Sequence, residues 1–250
     1  MSNIFFRAIR FPFRIFGYDV IKKHIPDPVI DKDEVFLKLY SICKPYTMTS
    51  KERMYALYKS TEHIAKKNLP GDIVECGVWK GGSTMLIALT LLHFNNKSKK
   101  IYLYDTFEGM SEPTDDDFSL DKNVNAKHFW KKKKKENINL WCFGSLEEVQ
   151  QNMFSTQYPK DQLVFVKGKV EETIPEIIPE KISLLRLDTD WYESTKHELI
   201  HLFPVLQQNG VLIIDDYGHW AGAKKACDEY FADNPLLLNR IDYTARIAIK

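Results

Sequence analysis

Two apolar segments of the sequence each end in a pair of carboxylates. Asp188 and Asp190 follow one segment, and Asp215 and Asp216 directly follow another. If the two segments are neighbouring parallel strands, these side chains meet at one edge of a sheet and repel one another unless a positive charge lies between them. Mg²⁺ prefers oxygen ligands of this kind. A single aspartate could simply cap the next helix, but the doubled pairs favour a metal or catalytic site.

A glycine-rich turn follows an earlier apolar segment and runs from Glu75 to Ser83 as Glu-Cys-Gly-Val-Trp-Lys-Gly-Gly-Ser. Glycines let the backbone turn sharply and let a ligand approach it closely. The next apolar segment ends at Asp105, where a carboxylate commonly takes the hydroxyls of a ribose. The turn matches neither the G-x-G-x-x-G pattern nor the P-loop pattern. These features predict a cofactor that contains adenosine, and they disfavour a dinucleotide and a nucleoside triphosphate.

A third motif, from His197 to His201, matches the H-E-x-x-H pattern of zinc proteases. Leu199 and Leu202 lie on one face of the predicted helix, so the two histidines project from the opposite face. A catalytic zinc needs a cleft and a third protein ligand, and the sequence offers no evident candidate for either. We therefore expect solvent-facing histidines at this motif and no zinc site.

The elements that must position these residues alternate between strand and helix from Gly71 onward. Alternating β and α segments with apolar strands predict a Rossmann-like, doubly wound α/β fold, with a mostly parallel sheet covered on both faces. The last two of seven strands have no helix between them, which predicts a hairpin and one antiparallel edge strand. The expected strands are 73–78, 100–106, 163–168, 182–188, 211–216, 237–242 and 246–249, and the expected helices are 33–43, 51–67, 83–94, 194–206 and 221–231.

The predicted organisation has two parts. Residues 1–69 form an N-terminal arm and a helical lid segment, and residues 70–250 form the α/β domain. Within that domain, residues 107–160 fit the β/α repeat poorly, and we expect an insertion on the substrate side of the sheet. The lysine run 131–135 in this insertion is expected to be a solvated helix face.

Composition excludes several classes of function. The 250 residues carry 35 Lys plus Arg against 34 Asp plus Glu, so no whole-protein positive field attracts nucleic acid. No apolar stretch is long enough to predict a transmembrane segment. The four cysteines are far apart, which disfavours a zinc finger and a disulfide framework and favours a cytoplasmic location.

The first 25 residues are rich in aromatic and basic side chains. They could form a peripheral anchor at a membrane surface, or an arm that packs on the body of the protein or on a second subunit. We favour the arm, because Pro12 interrupts the short helical stretch. An aromatic arm would suit a homo-oligomer.

Four stretches of this chain, taken together and in order, resemble the macrocin O-methyltransferase (TylF-like) family of S-adenosylmethionine-dependent methyltransferases. They are 75–83, 104–109, 187–195 and 213–218. The resemblance covers roughly residues 45–235 and implies a Mg²⁺-dependent O-methyltransferase that acts on a sugar hydroxyl. The stretch Met48–Met54 resembles the family's lid over the cofactor. The basic aromatic N-terminus and the lysine-rich insertion depart from the family's antibiotic-tailoring members.

The resemblance also implies a role for each matching residue. The implied cofactor-binding residues are Glu75, Gly77, Gly81 and Ser83 for the methionine and ribose part, Asp105 with Phe107 nearby for the ribose hydroxyls, and Val170 and Glu171 beside the adenine. The implied Mg²⁺ ligands are Asp188, Asp215 and Asp216. The first candidate for the general base is Asp188, and the second is Asp190.

The implied chemistry is physically reasonable, because a sugar hydroxyl is too weak an acid to lose its proton unaided at neutral pH. A metal ion beside the hydroxyl and an adjacent carboxylate would assist that loss. Two neighbouring hydroxyls could both reach the metal, which favours a vicinal diol as the acceptor. A rival hypothesis uses Asp188-Thr189-Asp190 as the D-x-D motif of a metal-dependent glycosyltransferase. A third is a non-catalytic, membrane-associated scaffold.

Overall fold

The computed structural model describes residues 27–136 and 138–250. The segment expected to contact a membrane or a second subunit lies outside them. Residues 27–34 belong to an N-terminal unit and include a 3-10 turn at Ile30–Lys32. The second unit, Val35–Lys250, holds the sheet. No helix in the described ranges is long and apolar enough to cross a membrane.

A seven-stranded sheet forms the centre of this second unit, with the strand order β5-β2-β1-β6-β7-β9-β8. The strands are β1 Asp72–Cys76, β2 Ile101–Asp105, β5 Leu163–Lys167, β6 Ile182–Leu187, β7 Leu206–Ile214, β8 Asn239–Arg240 and β9 Arg246–Ile249. The first five in spatial order are parallel, whereas β9 runs antiparallel to both β7 and β8. The predicted fold class is confirmed, with the antiparallel strand one place in from the edge.

Eight α-helices are described. Six of them form two groups of three, and the helices pack against one another within each group. The helices are α1 Glu34–Cys43, α2 Lys51–Lys67, α3 Gly82–His93, α4 Lys127–Lys133, α5 Leu146–Ser155, α6 Val170–Thr173, α7 Tyr192–Leu202 and α8 Ala221–Tyr230. Helices α2, α3 and α5 pack together in one group, and α6, α7 and α8 pack together in the other. Side chains of a strand alternate between the two faces of the sheet, so each group covers one face.

Local sequence explains where the longest helix begins and ends. Ser50 is the N-cap of α2, and its hydroxyl accepts a hydrogen bond from the Arg53 backbone N–H. This satisfies one of the N–H groups that a helix start leaves free. The helix ends at Lys67, and its C-cap Asn68 adopts a left-handed conformation with φ +46°, as residues at this position often do.

The region 107–160 contains α4, a short hairpin of β3 (Lys134–Lys135) and β4 (Ile138–Asn139), and α5. Two contacts hold its first part at the carboxyl edge of the sheet. The Leu120 backbone N–H donates to the His219 carbonyl at 2.9 Å. The fully buried carboxylate of Asp117 accepts from the Tyr192 backbone N–H at 2.8 Å, at the start of α7. The region therefore supplies a wall of the site rather than a detached loop.

Candidate active site

A cavity of about 410 Å³ opens at the carboxyl edge of the sheet. Its walls come from the loops after β1, β2, β6 and β7, together with the segment before α2. Thr47, Met48 and Thr49 of that segment line one side. In doubly wound folds, ligands bind in the crevice outside the carboxyl ends of the strands, so the position of the cavity makes it the candidate active site.

One buried arginine joins three carboxylates next to this cavity. The Arg186 side chain is 1% exposed, and its Nη1 lies 2.5 Å from Glu75 Oε1 and 2.7 Å from Asp188 Oδ2. Its Nη2 donates to Asp215 Oδ1 at 2.7 Å. Sheet register explains the first pair, because Glu75 and Arg186 are partners in β1 and β6 and point to the same face. Burial opposes the charge of Arg186, but the three carboxylates outweigh it and raise the pKa well above its usual value.

A second guanidinium reaches the same carboxylates from the first turn of α2. Arg53 forms an ion pair with Asp215, and its Nε lies 3.1 Å from Asp242 Oδ2. The hydroxyl of Ser50 donates to the same Asp242 oxygen at 2.9 Å. These contacts tie the start of α2 to the loop before β9, across the mouth of the cavity.

Three aspartates also place carboxylate oxygens close enough together to bind one metal ion. One oxygen each from Asp188, Asp215 and Asp216 lies within 4.8 Å of the others. Asp216 is 9% exposed, and its Oδ2 is a buried oxygen without a hydrogen-bond partner in the described structure. A buried oxygen of this kind is costly unless something positive contacts it. The donor set therefore fits a hard divalent cation.

Asp190 lies beside these ligand atoms in an unusual backbone conformation. Its φ is +69°, a region that few non-glycine residues adopt, and it lines the cavity. Burial, with the nearby charge of Asp188 as the next cause, raises the pKa of Asp190 to about 7. Burial also raises the pKa of Asp188 and Asp216. Neighbouring carboxylates add to both shifts, although Arg186 opposes that of Asp188.

The glycine-rich turn brings the backbone of β1 against that of β6. Gly77 has φ +82°, and a Cβ atom there would lie 2.0 Å from the Asp188 carbonyl oxygen. No other residue fits this close approach. Asp105 Oδ2 accepts from the backbone N–H groups of Val78 at 2.7 Å and Trp79 at 3.0 Å, which fixes the turn against the end of β2.

A second, smaller cavity of about 60 Å³ lies next to the first and shares Gly77, Asp105 and Asp188 with it. Val170 and Glu171 at the start of α6 line its far side. The two cavities together form one elongated site with the Asp105 carboxylate between them. This arrangement fits an adenosyl cofactor, because a carboxylate between two compartments can accept from ribose hydroxyls while the base occupies one side.

Comparison with known proteins identifies the family. A profile of the macrocin-O-methyltransferase (TylF) family matches residues 42–248. The chain belongs to this family. It is therefore an S-adenosylmethionine-dependent O-methyltransferase, as predicted, and the glycosyltransferase and scaffold alternatives have no support.

Two curated relatives and one solved structure illustrate the relationship. The chain is 30% identical to demethyldecarbamoylnovobiocin O-methyltransferase of Streptomyces niveus, over 75% of this chain and 68% of the relative. It is 31% identical to mycinamicin III 3''-O-methyltransferase of Micromonospora griseorubida, over 69% of this chain and 65% of the relative. The structure of the O-methyltransferase NovP superposes with a TM-score of 0.71 at 28% identity and covers 82% of each chain.

The structure brings most of the residues expected from the TylF resemblance to the two cavities. Those that line a cavity are Gly77, Ser83, Asp105, Val170, Glu171, Asp188, Asp190, Asp215 and Asp216. Three others do not line either one, namely Glu75, Gly81 and Phe107. Glu75 is fully buried and accepts hydrogen bonds from the hydroxyls of Ser83 and Thr84. It therefore stabilises the glycine-rich turn from the protein interior.

Sequence reasoning missed the aromatic wall of this TylF-family site. The indoles of Trp141, Trp191 and Trp220 contact one another edge to face, with ring centroids 5.1–6.0 Å apart. Trp141 and Trp220 line the larger cavity. These residues are separated in sequence, so no local spacing marks them. Arg186 was also missed, although a charged residue inside an apolar strand was a usable signal.

The two histidines of the H-E-x-x-H motif are half-buried rather than solvent-facing as predicted. His197 Nε2 lies 2.8 Å from the Ile174 carbonyl oxygen. Glu198 points the other way, is fully buried, and accepts from the Thr189 hydroxyl at 3.0 and 3.1 Å. The motif therefore supports the loop between Asp188 and Asp190 from inside the protein.

Proposed function

We propose that this protein transfers a methyl group from S-adenosylmethionine to a hydroxyl of a sugar, in a glycoside, polysaccharide or natural product, with the help of Mg²⁺. The observation that carries the metal dependence is the unpartnered Oδ2 of Asp216 beside the oxygens of Asp188 and Asp215. The acceptor class is supported by relatives named for methylation at the 3'' position of mycinamicin III and at the 4' position of a rhamnosyl tetracenomycin.

The proposed cofactor site uses the elongated pair of cavities. Gly77 and Ser83 are assigned to the methionine side, because both line the larger cavity at the glycine turn. Asp105 is assigned to the ribose hydroxyls, and Val170 with Glu171 to the adenine, because these two line only the smaller cavity. Glu75 and Gly81 remain in the proposal as supports of the turn, and Phe107 as a support of Asp105, whose Oδ1 accepts from the Phe107 backbone N–H at 2.8 Å.

The proposed metal ligands are Asp188, Asp215 and Asp216. Mg²⁺ would supply a positive charge that makes loss of an acceptor proton easier. Arg186 and Arg53 hold Asp188 and Asp215 in place through ion pairs, and the carboxylates fix the acceptor side of the cavity. The aromatic wall excludes water and positions the acceptor against the methyl donor, which supplies much of the rate in a bimolecular transfer.

Between the two candidates for the general base, the contacts favour Asp190. Asp188 Oδ2 lies 2.7 Å from Arg186 Nη1, and Asp188 also belongs to the proposed metal-ligand set, so its carboxylate is already engaged. Asp190 lines the cavity and has no ion pair among the described residues. We therefore assign proton removal to Asp190 and positioning of the metal to Asp188.

The first test is thermal stability with S-adenosylhomocysteine, on the wild type and on Asp105→Asn, with exposed Asp161→Asn as the matched control. A ligand at about 100 times its Kd adds roughly 2.7 kcal/mol to the folded state. We expect S-adenosylhomocysteine to increase the stability of the wild type and of Asp161→Asn by the same amount, and that of Asp105→Asn by much less. Equal gains in all three would remove Asp105 from the cofactor site.

The second test is methyl transfer from labelled S-adenosylmethionine to a sugar panel, with Mg²⁺ or with a chelator. Each sugar with a vicinal diol is paired with a derivative in which one of the two hydroxyls is replaced by hydrogen. We expect transfer to the diol alone and only with Mg²⁺. Transfer that persists in chelator would refute the metal dependence, and equal transfer to both members of a pair would refute the preference for a diol.

A further inference from the structure

A groove of about 310 Å³ adjoins the catalytic cavity on the side of the insertion, and we name it the basic groove. It is lined by Lys122, Phe129, Lys132, Lys133, Trp141 and Trp220, together with Ser119, His219 and one carboxylate, Asp121. Trp141 and Trp220 line both the groove and the catalytic cavity. The two spaces therefore adjoin at these indoles, so an elongated molecule whose reacting end occupies the cavity would reach the groove past them.

One helix face provides both the apolar and the charged side of the basic groove. Phe129, Lys132 and Lys133 all lie on α4 at spacings of three and four residues, which places them on one face. The Phe129 ring contacts Trp141 edge to face, with centroids 6.1 Å apart. Phe129 is 40% exposed. The groove thus has an aromatic floor continuous with the aromatic wall of the active site and a cationic rim.

Two of the three lysines of this rim are unpaired among the described residues, whereas nearby lysines outside the groove are paired. Lys127 lies 2.6 Å from Asp115, and Lys225 lies 2.9 Å from Asp116. In the described part of the chain, Lys132 and Lys133 have no carboxylate within ion-pair distance. Lys122 has only Asp121, at 3.8 Å. Unpaired lysines around an apolar floor make a site that is complementary to an anion attached to a molecule with apolar faces.

We propose that the acceptor is an acidic saccharide: the sugar that receives the methyl group occupies the cavity, and a neighbouring unit that carries a carboxylate or a phosphate lies in the basic groove. This inference rests on the proposed sugar methylation and specifies its substrate class. Aromatic side chains offer a flat apolar surface to the ring of the neighbouring unit. The lysines, which are long and flexible, then reach its anionic substituent.

The test measures binding rather than turnover, with S-adenosylhomocysteine present throughout. The carboxylate probe is trigalacturonate, compared with the same trisaccharide after reduction of its carboxylates to alcohols. The phosphate probe is a disaccharide 1-phosphate, compared with the unphosphorylated disaccharide. The proteins are the wild type, the double variant K132Q/K133Q, and the matched control K131Q/K135Q, which removes the same charge from exposed lysines outside the groove.

We expect at least one acidic probe to bind more tightly than its neutral partner, with a preference that K132Q/K133Q reduces roughly three- to tenfold. The control K131Q/K135Q should keep the preference. The probe that shows it identifies the anion as carboxylate or phosphate. No preference for either acidic probe, or an equal loss in both double variants, would overturn the proposal.

The same samples separate this inference from the proposed function. Binding of S-adenosylhomocysteine, and Mg²⁺-dependent methylation of any sugar in the panel, depend on the cavity and not on Lys132 or Lys133. If neutral sugars are methylated while the acidic preference is absent, the proposed function stands and the acidic acceptor is wrong. If the acidic preference is present while no sugar is methylated, the groove is an anion site and the proposed function is wrong.

Discussion

The two faces of strand β6 are equally buried but differ in chemistry. On one face, Leu185 packs in a core that includes Val74 and Leu212. On the other, Arg186 is 1% exposed and bridges Glu75, Asp188 and Asp215. Burial of apolar surface stabilises the first face directly. On the charged face, the ion pairs must first offset the free energy that it costs to remove the charged groups from water. In buried ion pairs the attraction often does no more than balance this cost.

The difference shows what each face is for. The apolar face contributes to folding in a general way, because an apolar core tolerates substitutions that keep its volume and its hydrophobic pattern. The charged face holds carboxylates at defined positions under the catalytic cavity, and each depends on its partner. The apolar face should therefore respond to substitution by losing stability only, whereas the charged face should also change its response to cations.

The largest effect is expected for Arg186→Met, which leaves the buried carboxylates of Glu75 and Asp215 and the partly exposed carboxylate of Asp188 without this counter-ion. Removal of one partner from a buried ion pair typically costs about 3–5 kcal/mol. The matched control on the other face, Leu185→Ala, is expected to lose about 2–5 kcal/mol through a cavity. Denaturant unfolding of both variants measures the losses.

The response to Mg²⁺ distinguishes the loss of a counter-ion in Arg186→Met from the apolar cavity in Leu185→Ala. Saturating Mg²⁺ should restore more of the stability of Arg186→Met than of Leu185→Ala, because the ion can replace positive charge near Asp188 and Asp215 but cannot fill an apolar cavity. An equal effect of Mg²⁺ on both variants would mean that the charged face responds to cations no differently from the apolar face.

Sequence reasoning recovered the apolar face more completely than the charged one. Most of the individually predicted strands and helices match described elements to within a few residues, because local patterning determines them. Strand β7 was the main exception: it begins at Leu206 rather than 211, since its polar first half pairs with β6 only around Ile182. Conversely, the strand expected at 237–242 is reduced to Asn239–Arg240.

The candidate site was predicted where it follows from the ends of strands and missed where it depends on distant contacts. Asp188, Asp215 and Asp216 converge because β6 and β7 are adjacent and parallel, and topology alone implies this. The contact of Arg53 with Asp215 joins residues 162 positions apart. The aromatic wall similarly joins Trp141, Trp191 and Trp220, and no periodicity in the sequence encodes such meetings.

A smaller effect is expected for Asp216→Asn, which tests the metal on the charged face. Wild-type stability should rise with Mg²⁺, by about 2.7 kcal/mol at 100 times the Kd, and the variant should lose most of this gain. Without Mg²⁺ the variant should be at least as stable as the wild type, since it removes one of several mutually repelling carboxylates. Asp161→Asn, at an exposed turn, is the control. A full Mg²⁺ response in Asp216→Asn would contradict the assignment of this ligand.

The smallest effect is expected for Glu198→Gln, where the two faces meet. Glu198 is buried beside the apolar core, and burial raises its pKa well above the usual value, although the Thr189 hydroxyl bond opposes the shift. A carboxyl with a raised pKa in the folded state contributes its full stability below the unfolded pKa, about 4.3. That contribution is lost as the pH rises toward the folded value.

The wild type should therefore lose more stability than Glu198→Gln between pH 4.5 and pH 8, because glutamine stays neutral and keeps an acceptor for Thr189. Thermal unfolding of both proteins across this range measures the difference, which we expect to reach a few degrees, at about 2–4 °C per kcal/mol for a chain of this size. Contributions from Asp188 and Asp190 are common to both proteins and cancel. Parallel pH profiles would mean that Glu198 remains ionised in the fold, and that its bond to Thr189 is charge-assisted and belongs with the charged face.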